Sequence, residues 1–448
     1  MLPDSVNENE STRHEPLKPP LQGRLNSFQR TMLDWNDLHP YNAVHVVRIS
    51  APPDLVRLQN AIRDTLAFHG LTRVTLNRVK GTFQYDDHPA CYEIKIIEAA
   101  DNSQELLRAE IESQINTGFD ISRAFQPFRF FIVRERESFH LGLVYFHAVA
   151  DAVSIVQLLR QIYLAQLGDG TPPIAKRFSL ARHQIGFNPL VLVRQFAGFL
   201  SQLRQQRRSV RVFHQNANDG TNRFEQLTLG PDVLAALSAS AKAWEVTLND
   251  VFLAVLLTCC SPFTLNRLNE PARGRIAIGC IVNTRNDLEL IDPQGWGLFL
   301  GSFVVSHETP ANMSLPELAR DIRRQTQAIK RRKEYAGPPL ELVLGRFLLS
   351  FFSTEHRTKL YQKHYPLWGG ITNMNLNLLW PQPAGAPPLD YFRGVSTGPV
   401  TPLVLSVTTV GDGVNLGLTF RATTFTDAHI RQVKKQLLNL LEKLTAHA

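Results

Sequence analysis

The stretch "YFHAVADAVS", residues 145–154, closes an apolar run, sets His147 four residues ahead of Asp151, and then opens a helical pattern. Two readings compete for it. A carboxylate at the first turn of a helix is an ordinary N-cap, and a histidine at a strand end is ordinarily a satisfied structural group. The other reading makes His147 a proton acceptor at the mouth of a site. The spacing alone does not decide, because a chain with this many histidines and aspartates produces such a pair by chance. The context has to decide.

Upstream, "PFRFFIVRE" and "SFHLGLVYFH" are two apolar runs joined by the charged turn 134–138, which predicts a hairpin ending at His147. Downstream, "DAVSIVQLLRQIYLAQLG" (151–168) predicts a helix closed by Gly168. Further out, 25–38 predicts a short helix and "NAVHVVRIS" (42–50) a strand. Residues 53–70 carry Leu55, Leu58, Ala61, Ile62 and Leu66 at helical spacing between Pro-Asp and Gly70. "LTRVTLNRV" and "YEIKIIEA" predict strands, and 103–119 a helix ending at Gly118. The second half predicts helices at 231–243 and 247–260 and a strand at 275–283. It closes with a hairpin around "GDG" (411–413) and a helix at 426–444. The order is mixed, so the fold class is α/β in the broad sense, an α+β mixture rather than a strict alternation.

A chain of 448 residues exceeds one compact core, and its 44% hydrophobic and 20% charged composition is that of a globular protein. Residues 1–20 are polar and proline-bearing and are expected to be a disordered lead-in, without the basic start and apolar centre of a secretory signal. No window reaches the ~18 apolar residues of a spanning helix. The four cysteines show neither metal spacing nor a disulfide framework, so a cytoplasmic setting and no metal are expected.

The net charge of +8 favours anionic partners in general. Positive charge gathers in two helical stretches, 320–334 and 190–211. The second also has the make-up of a membrane-surface helix, so peripheral membrane contact stays open beside the plainer reading of an amphipathic helix packed on its own protein. No nucleic-acid motif accompanies the charge, and no nucleic-acid partner is expected. Residues 169–225 form the candidate boundary. The expected division is 21–175 and 226–448, with 176–225 as linker and basic helix.

Residues 119–163, with the hairpin, His147, Asp151 and the helix, resemble the core of the thioester-dependent acyltransferase superfamily. That group includes peptide-synthetase condensation domains, wax-ester synthases, alcohol acyltransferases and, more distantly, chloramphenicol acetyltransferase. Its signature is His-His-x-x-x-Asp-Gly at a strand end. "FQRTMLDW" (28–35), "LAFHGLTR" (66–73), "VTLNDVFLAVLL" (246–257), "IVNTRND" (281–287), "LGSFVVS" (300–306) and "ITNMNL" (371–376) are similar to further family stretches, in the same order. Two positions depart: Phe146 stands for the first histidine and Ala152 for the glycine. "GWG" (295–297) reads as a turn.

The resemblance implies two chloramphenicol-acetyltransferase-like subdomains forming a pseudo-dimer, with the active site in a tunnel between them. It implies His147 as general base, and Asp151 paired with Arg285 as a structural ion pair. Asn249, Ser302, Thr372 and Asn373 are candidate substrate contacts, and His69 is structural. No tightly bound cofactor is implied. The donor would be an acyl-CoA or a phosphopantetheinyl thioester, the acceptor a small hydroxyl or amine, with an acyl or peptidyl carrier protein as a further partner. The length leaves no room for a fused carrier or adenylation module, so a stand-alone enzyme is expected. The competing class is a non-catalytic relative that binds a carrier or ligand, a reading prompted by Phe146 and Ala152.

Overall fold

All eight residues of Phe139–Phe146 are buried. A strand covered on both faces reads as a continuous apolar run, which is why this one showed so plainly in the sequence. The computed structural model describes residues 21–86, 88, 91–168, 176–180, 207–216, 218–264, 273–287, 295–308, 313–335, 352–382 and 389–445.

Within the first half lie β1 (Gln22–Arg24), α1 (Ser27–Asn36), β2 (Asn42–Ile49), α2 (Leu55–His69), β3 (Arg73–Asn77) and β4 (Thr82–Asp86). Then come β5 (Ile94–Glu98), α3 (Ser103–Asn116), β6 (Phe128–Arg134), β7 (Phe139–Phe146) and α4 (Ala152–Leu167). The second half continues with β8 (Asn222–Leu229), α5 (Pro231–Ala243), α6 (Leu248–Cys260), β9 (Arg275–Asn283), β10 (Leu300–Glu308) and α7 (Leu315–Arg332). It ends with α8 (Thr354–His364), β11 (Gly369–Asn375), the short α9 (Leu376–Leu379), β12 (Tyr391–Val395), β13 (Leu403–Val410), β14 (Gly413–Arg421) and α10 (Asp427–Thr445).

The chain signals match local chemistry. Asp54 caps α2 by accepting from the Arg57 amide, and Gly70 ends it in the left-handed region at φ 66°. Asn26 and Gln29 form a reciprocal capping box on α1, and Thr247 and Asp250 form another on α6. The 411–413 turn joins β13 to β14 as expected. Helix α3 stops at Asn116, two residues before Gly118, because Thr117 turns extended. Strand β4 was missed in the sequence, although Phe83 and Tyr85 alternate there with Thr82, Gln84 and Asp86. Helix α7 buries Leu318, Ala319, Ile322 and Thr326 and leaves its basic side to solvent, the plain amphipathic arrangement. Of the other basic stretch, residues 190–206 lie outside the described residues.

Two large sheets organise the molecule. The five-stranded sheet runs β12-β2-β7-β6-β5, and the six-stranded sheet β10-β9-β11-β13-β14-β8. Helices α2 and α4 bury one face of the first sheet and α3 the other. Helices α5, α6, α7 and α10 cover one face of the second. The six-stranded sheet starts at Asn222, inside the stretch expected to be linker. Strand β12 comes from the second half yet pairs with β2, Tyr391 opposite Val47. The two halves of the chain therefore complete each other's layers. Among the described residues no single helix is long and apolar enough to cross a membrane.

Strand β12 also lies across β14, and the fit depends on one missing side chain. A Cβ on Gly417 would sit 2.1 Å from the Arg393 carbonyl oxygen. Gly417→Ala is therefore expected to destabilise by about 1–3 kcal/mol, as overpacked cores do. Gly274→Ala, which meets nothing within 4 Å, should leave the melting temperature unchanged. Thermal melts of both variants check this; equal melts would remove the packing argument.

Candidate active site

Strand β7 delivers His147 to the gap between the two sheets. The His147 amide continues the ladder by donating to the Tyr41 carbonyl at 3.2 Å, and residues His147–Val149 then make one tight turn before α4. The imidazole is flanked by Tyr41, stacked at 5.5 Å, and by Tyr145, edge-on at 5.5 Å. Its Nδ1 faces the Ala150 carbonyl at 3.4 Å. A carbonyl only accepts, so this contact assigns the proton to Nδ1 and leaves the Nε2 lone pair for chemistry. Burial pushes the His147 pKa down to about 4, with Arg393 acting in the same direction and the Ala150 carbonyl and Asp151 opposing. The ring is a neutral base at pH 7.

Asp151 is N-cap and ion-pair partner at once. Its Oδ1 accepts from the Ser154 amide at 2.9 Å, and both carboxylate oxygens accept from Arg285 Nη2, at 2.8 and 2.9 Å. The Phe299 amide donates to Oδ2 at 3.1 Å. These donors come from α4, from Arg285 and from the segment after Gly297, and together they tie down the loop that carries His147. The "GWG" segment does more than turn. The Gly297 carbonyl accepts from the Asp151 amide at 3.0 Å and from Ser154 Oγ at 3.0 Å. The Gly295 carbonyl accepts from Arg285 Nη1 at 2.7 Å. Gly297 sits at φ 152°, a backbone that side chains rarely adopt. Trp296 is buried, and its Nε1 donates to the Tyr85 hydroxyl at 3.1 Å. From the other side, Gln29 Nε2 donates to the Ala148 carbonyl at 2.9 Å, fixing the loop to α1.

His147, Ala152, Ser302, Thr372, Cys280 and Arg393 line one cavity, with about 160 Å³ available to the centres of water-sized molecules. Of the remaining sequence candidates, Asn249 lies one layer behind, donating to Cys280 Sγ at 3.6 Å. Asn373 is exposed and outside the cavity; it follows Thr372 on β11, and successive strand residues face opposite ways. His69 is structural as expected, held by Gln161 at 2.6 Å and by the Phe178 amide at 3.0 Å. Phe146 is packed against Phe119 and Phe125 and does not reach the cavity. Cys280 is no nucleophile: burial pushes its thiol up to about 12.

Sequence reasoning missed Arg393. It stands on β12, buried, and reaches across to the other sheet. It donates to Thr372 Oγ1 at 3.2 Å, the Thr372 carbonyl at 2.9 Å, the Val407 carbonyl at 2.9 Å and Thr408 Oγ1 at 3.1 Å. The available signal was one charge inside the short apolar run "YFRGV" (391–395).

The family model described as "Condensation domain" matches residues 21–343. The chain belongs to the condensation-domain family. Solved condensation-type structures share its fold throughout. The first condensation domain of the CDA synthetase matches with a TM-score of 0.64 at 14% identity, over 95% of this chain and 96% of that one. The condensation domain from Monacolin K polyketide synthase matches with a TM-score of 0.64 at 12% identity, over 96% and 98%. The epimerization domain from the third module of tyrocidine synthetase B matches with a TM-score of 0.61 at 14% identity, over 96% and 98%. No curated protein sequence matches the chain. At these identities the condensation-type structures speak for the fold alone.

The buried ion pair gives a direct test. Arg285 and Asp151 are 4% and 1% exposed at their side chains, so Arg285→Met strands a buried carboxylate and is expected to destabilise by about 3–5 kcal/mol. Combining it with Asp151→Asn should recover part of that loss. Urea unfolding at unchanged slope measures both. Equal losses in the single and double variants would show that the pair is not what holds the loop.

Proposed function

We propose that this condensation-type chain is a stand-alone acyltransferase, moving an acyl group from a coenzyme A or carrier-protein thioester to a hydroxyl or amine. One observation carries the reading: a neutral imidazole, with no partner on Nε2 among the described residues, faces a cavity between two sheets while the neighbouring carboxylate is engaged by Arg285. The family match supports the reaction class.

In this reading His147 Nε2 removes the acceptor's proton as the acceptor oxygen or nitrogen bonds to the thioester carbonyl carbon. The C–S bond then breaks, and the proton passes from Nε2 to the departing thiolate. Ser302 and Thr372 are positioned in the same wall to donate to the developing oxyanion. Thr372 Oγ1 accepts from Arg393, which leaves its own hydroxyl proton to donate. Asp151 and Arg285 keep the loop in place and take no part in proton transfer.

Thiol release from short- to long-chain acyl-CoA thioesters, with alcohols and amines as acceptors, tests the proposal. His147→Ala is expected to lower the rate about 10²–10⁴-fold, the usual contribution of a general base. Carrier-bound thioesters form a second arm. Tight carrier binding with no transfer in either arm would favour a non-catalytic protein instead.

The pH profile is a separate check. His147 has its pKa lowered to about 4, so its basic form persists as pH falls below 6.5 and is lost only near pH 4. The acid limb of kcat/KM is expected near pH 4, with circular dichroism confirming the fold at each point. An acid limb at pH 6.5 would mean that the base is a solvated imidazole, not this buried one.

A further inference from the structure

Among the described residues the cavity wall carries one formal charge. Among the residues lining it, Arg393 is the sole Asp, Glu, Lys or Arg. Burial lowers His45 and His147 and raises Tyr41, Tyr145 and Cys280, which favours the neutral form of each of these five. Among the described residues Arg393 makes no ion pair, in contrast to Arg285, which has Asp151. An enclosed cation without a counter-charge is costly unless something of opposite sign joins it.

Three donors are left over at one place. The four hydrogen bonds of Arg393 use four of the five N–H groups of a guanidinium, leaving one on Nη1. The Thr372 hydroxyl accepts from Nη1 and retains its own proton. Ser406 pairs with Thr372 across the β11–β13 ladder, lines the same cavity, and is 1% exposed. Among the described residues its Oγ has no hydrogen-bond partner. A buried orphan hydroxyl beside an uncompensated guanidinium is half of a binding site.

We propose that the cavity takes a ligand bearing a carboxylate, seated on Arg393 with Thr372 and Ser406 as its second and third donors. A single negative charge balances the wall, whereas a phosphate dianion would leave it negative. The group belongs either to the acceptor or to the far end of the acyl chain. Only that choice rests on the transfer reading above; the binding itself does not. A bound carboxylate would also offset the Arg393 field that helps depress His147, making the base stronger when the substrate is present.

Titration calorimetry with octanoate and octanamide, a pair alike in shape and different in charge, tests the seat without turnover. Wild-type protein is expected to prefer octanoate about tenfold or more, the usual advantage of a hydrogen bond to a charged group. Arg393→Gln should abolish the preference while octanamide binding, which reports an intact cavity, stays the same. Because Arg393 also joins the two sheets, that variant alone is not decisive. Ser406→Ala supplies the second: it should weaken octanoate several-fold and leave both octanamide binding and the melting temperature unchanged. Equal affinity of wild type for the two probes, or no octanoate binding at millimolar concentration, overturns the proposal. Thiol release then locates the carboxylate. Preference for an α-amino acid over its amide as acceptor places it on the acceptor, and preference for glutaryl-CoA over pentanoyl-CoA places it on the acyl chain. Release without preference in either arm overturns the assignment to a substrate. No release in any arm counts against the transfer reading and leaves the calorimetric result standing.

Discussion

The Asp151–Arg285 pair sets the geometry on which the site depends. Its two members come from opposite halves of the chain, and both are buried. A bare ion pair in such a place is weak support for stability, because desolvation offsets the attraction. Here each charge is given further partners: the Ser154 and Phe299 amides for the carboxylate, the Gly295 carbonyl and the Ser154 hydroxyl for the guanidinium. The result is a polar network that joins the two halves of the chain. All of these contacts on Asp151 come from the ion pair and from backbone amides, and they tie the loop after β7 to the second half of the chain. The aspartate thereby fixes the turn on which the histidine stands.

A second buried guanidinium is treated in the opposite way. Arg393 is solvated by carbonyl and hydroxyl oxygens and not by a carboxylate. Each arginine spans the same gap between sheets. The contrast separates two uses of one residue type: a compensated charge that locks a loop, and an uncompensated one that leaves the cavity incomplete until a ligand fills it.

Much of this was legible in the sequence, for local reasons. Helix α2 announced itself by an apolar period between Asp54 and Gly70, and β7 by an unbroken apolar run. The turn from β7 to α4 placed His147 and Asp151 together without any tertiary information. The pairing of Asp151 with Arg285 is not local, and family resemblance supplied it where spacing was silent. Asn373 shows the reverse: two adjacent strand residues cannot share one face, so naming both Thr372 and Asn373 overreached a rule already visible in the sequence. Other features had no local signature. The segment Gly295–Gly297 makes its contacts with sequence-distant partners, and β12 takes its identity from β2.

That exchange of β12 constrains how the protein can be made. Until the ribosome has passed residue 395, β2 has a neighbour on its β7 side only, and its other edge stands open. An unpaired apolar edge is the element most prone to joining another chain. The first sheet must therefore wait, exposed, while four of the six strands of the second, β8 to β11, are synthesised. In this molecule the order of translation and the order of completion run against each other.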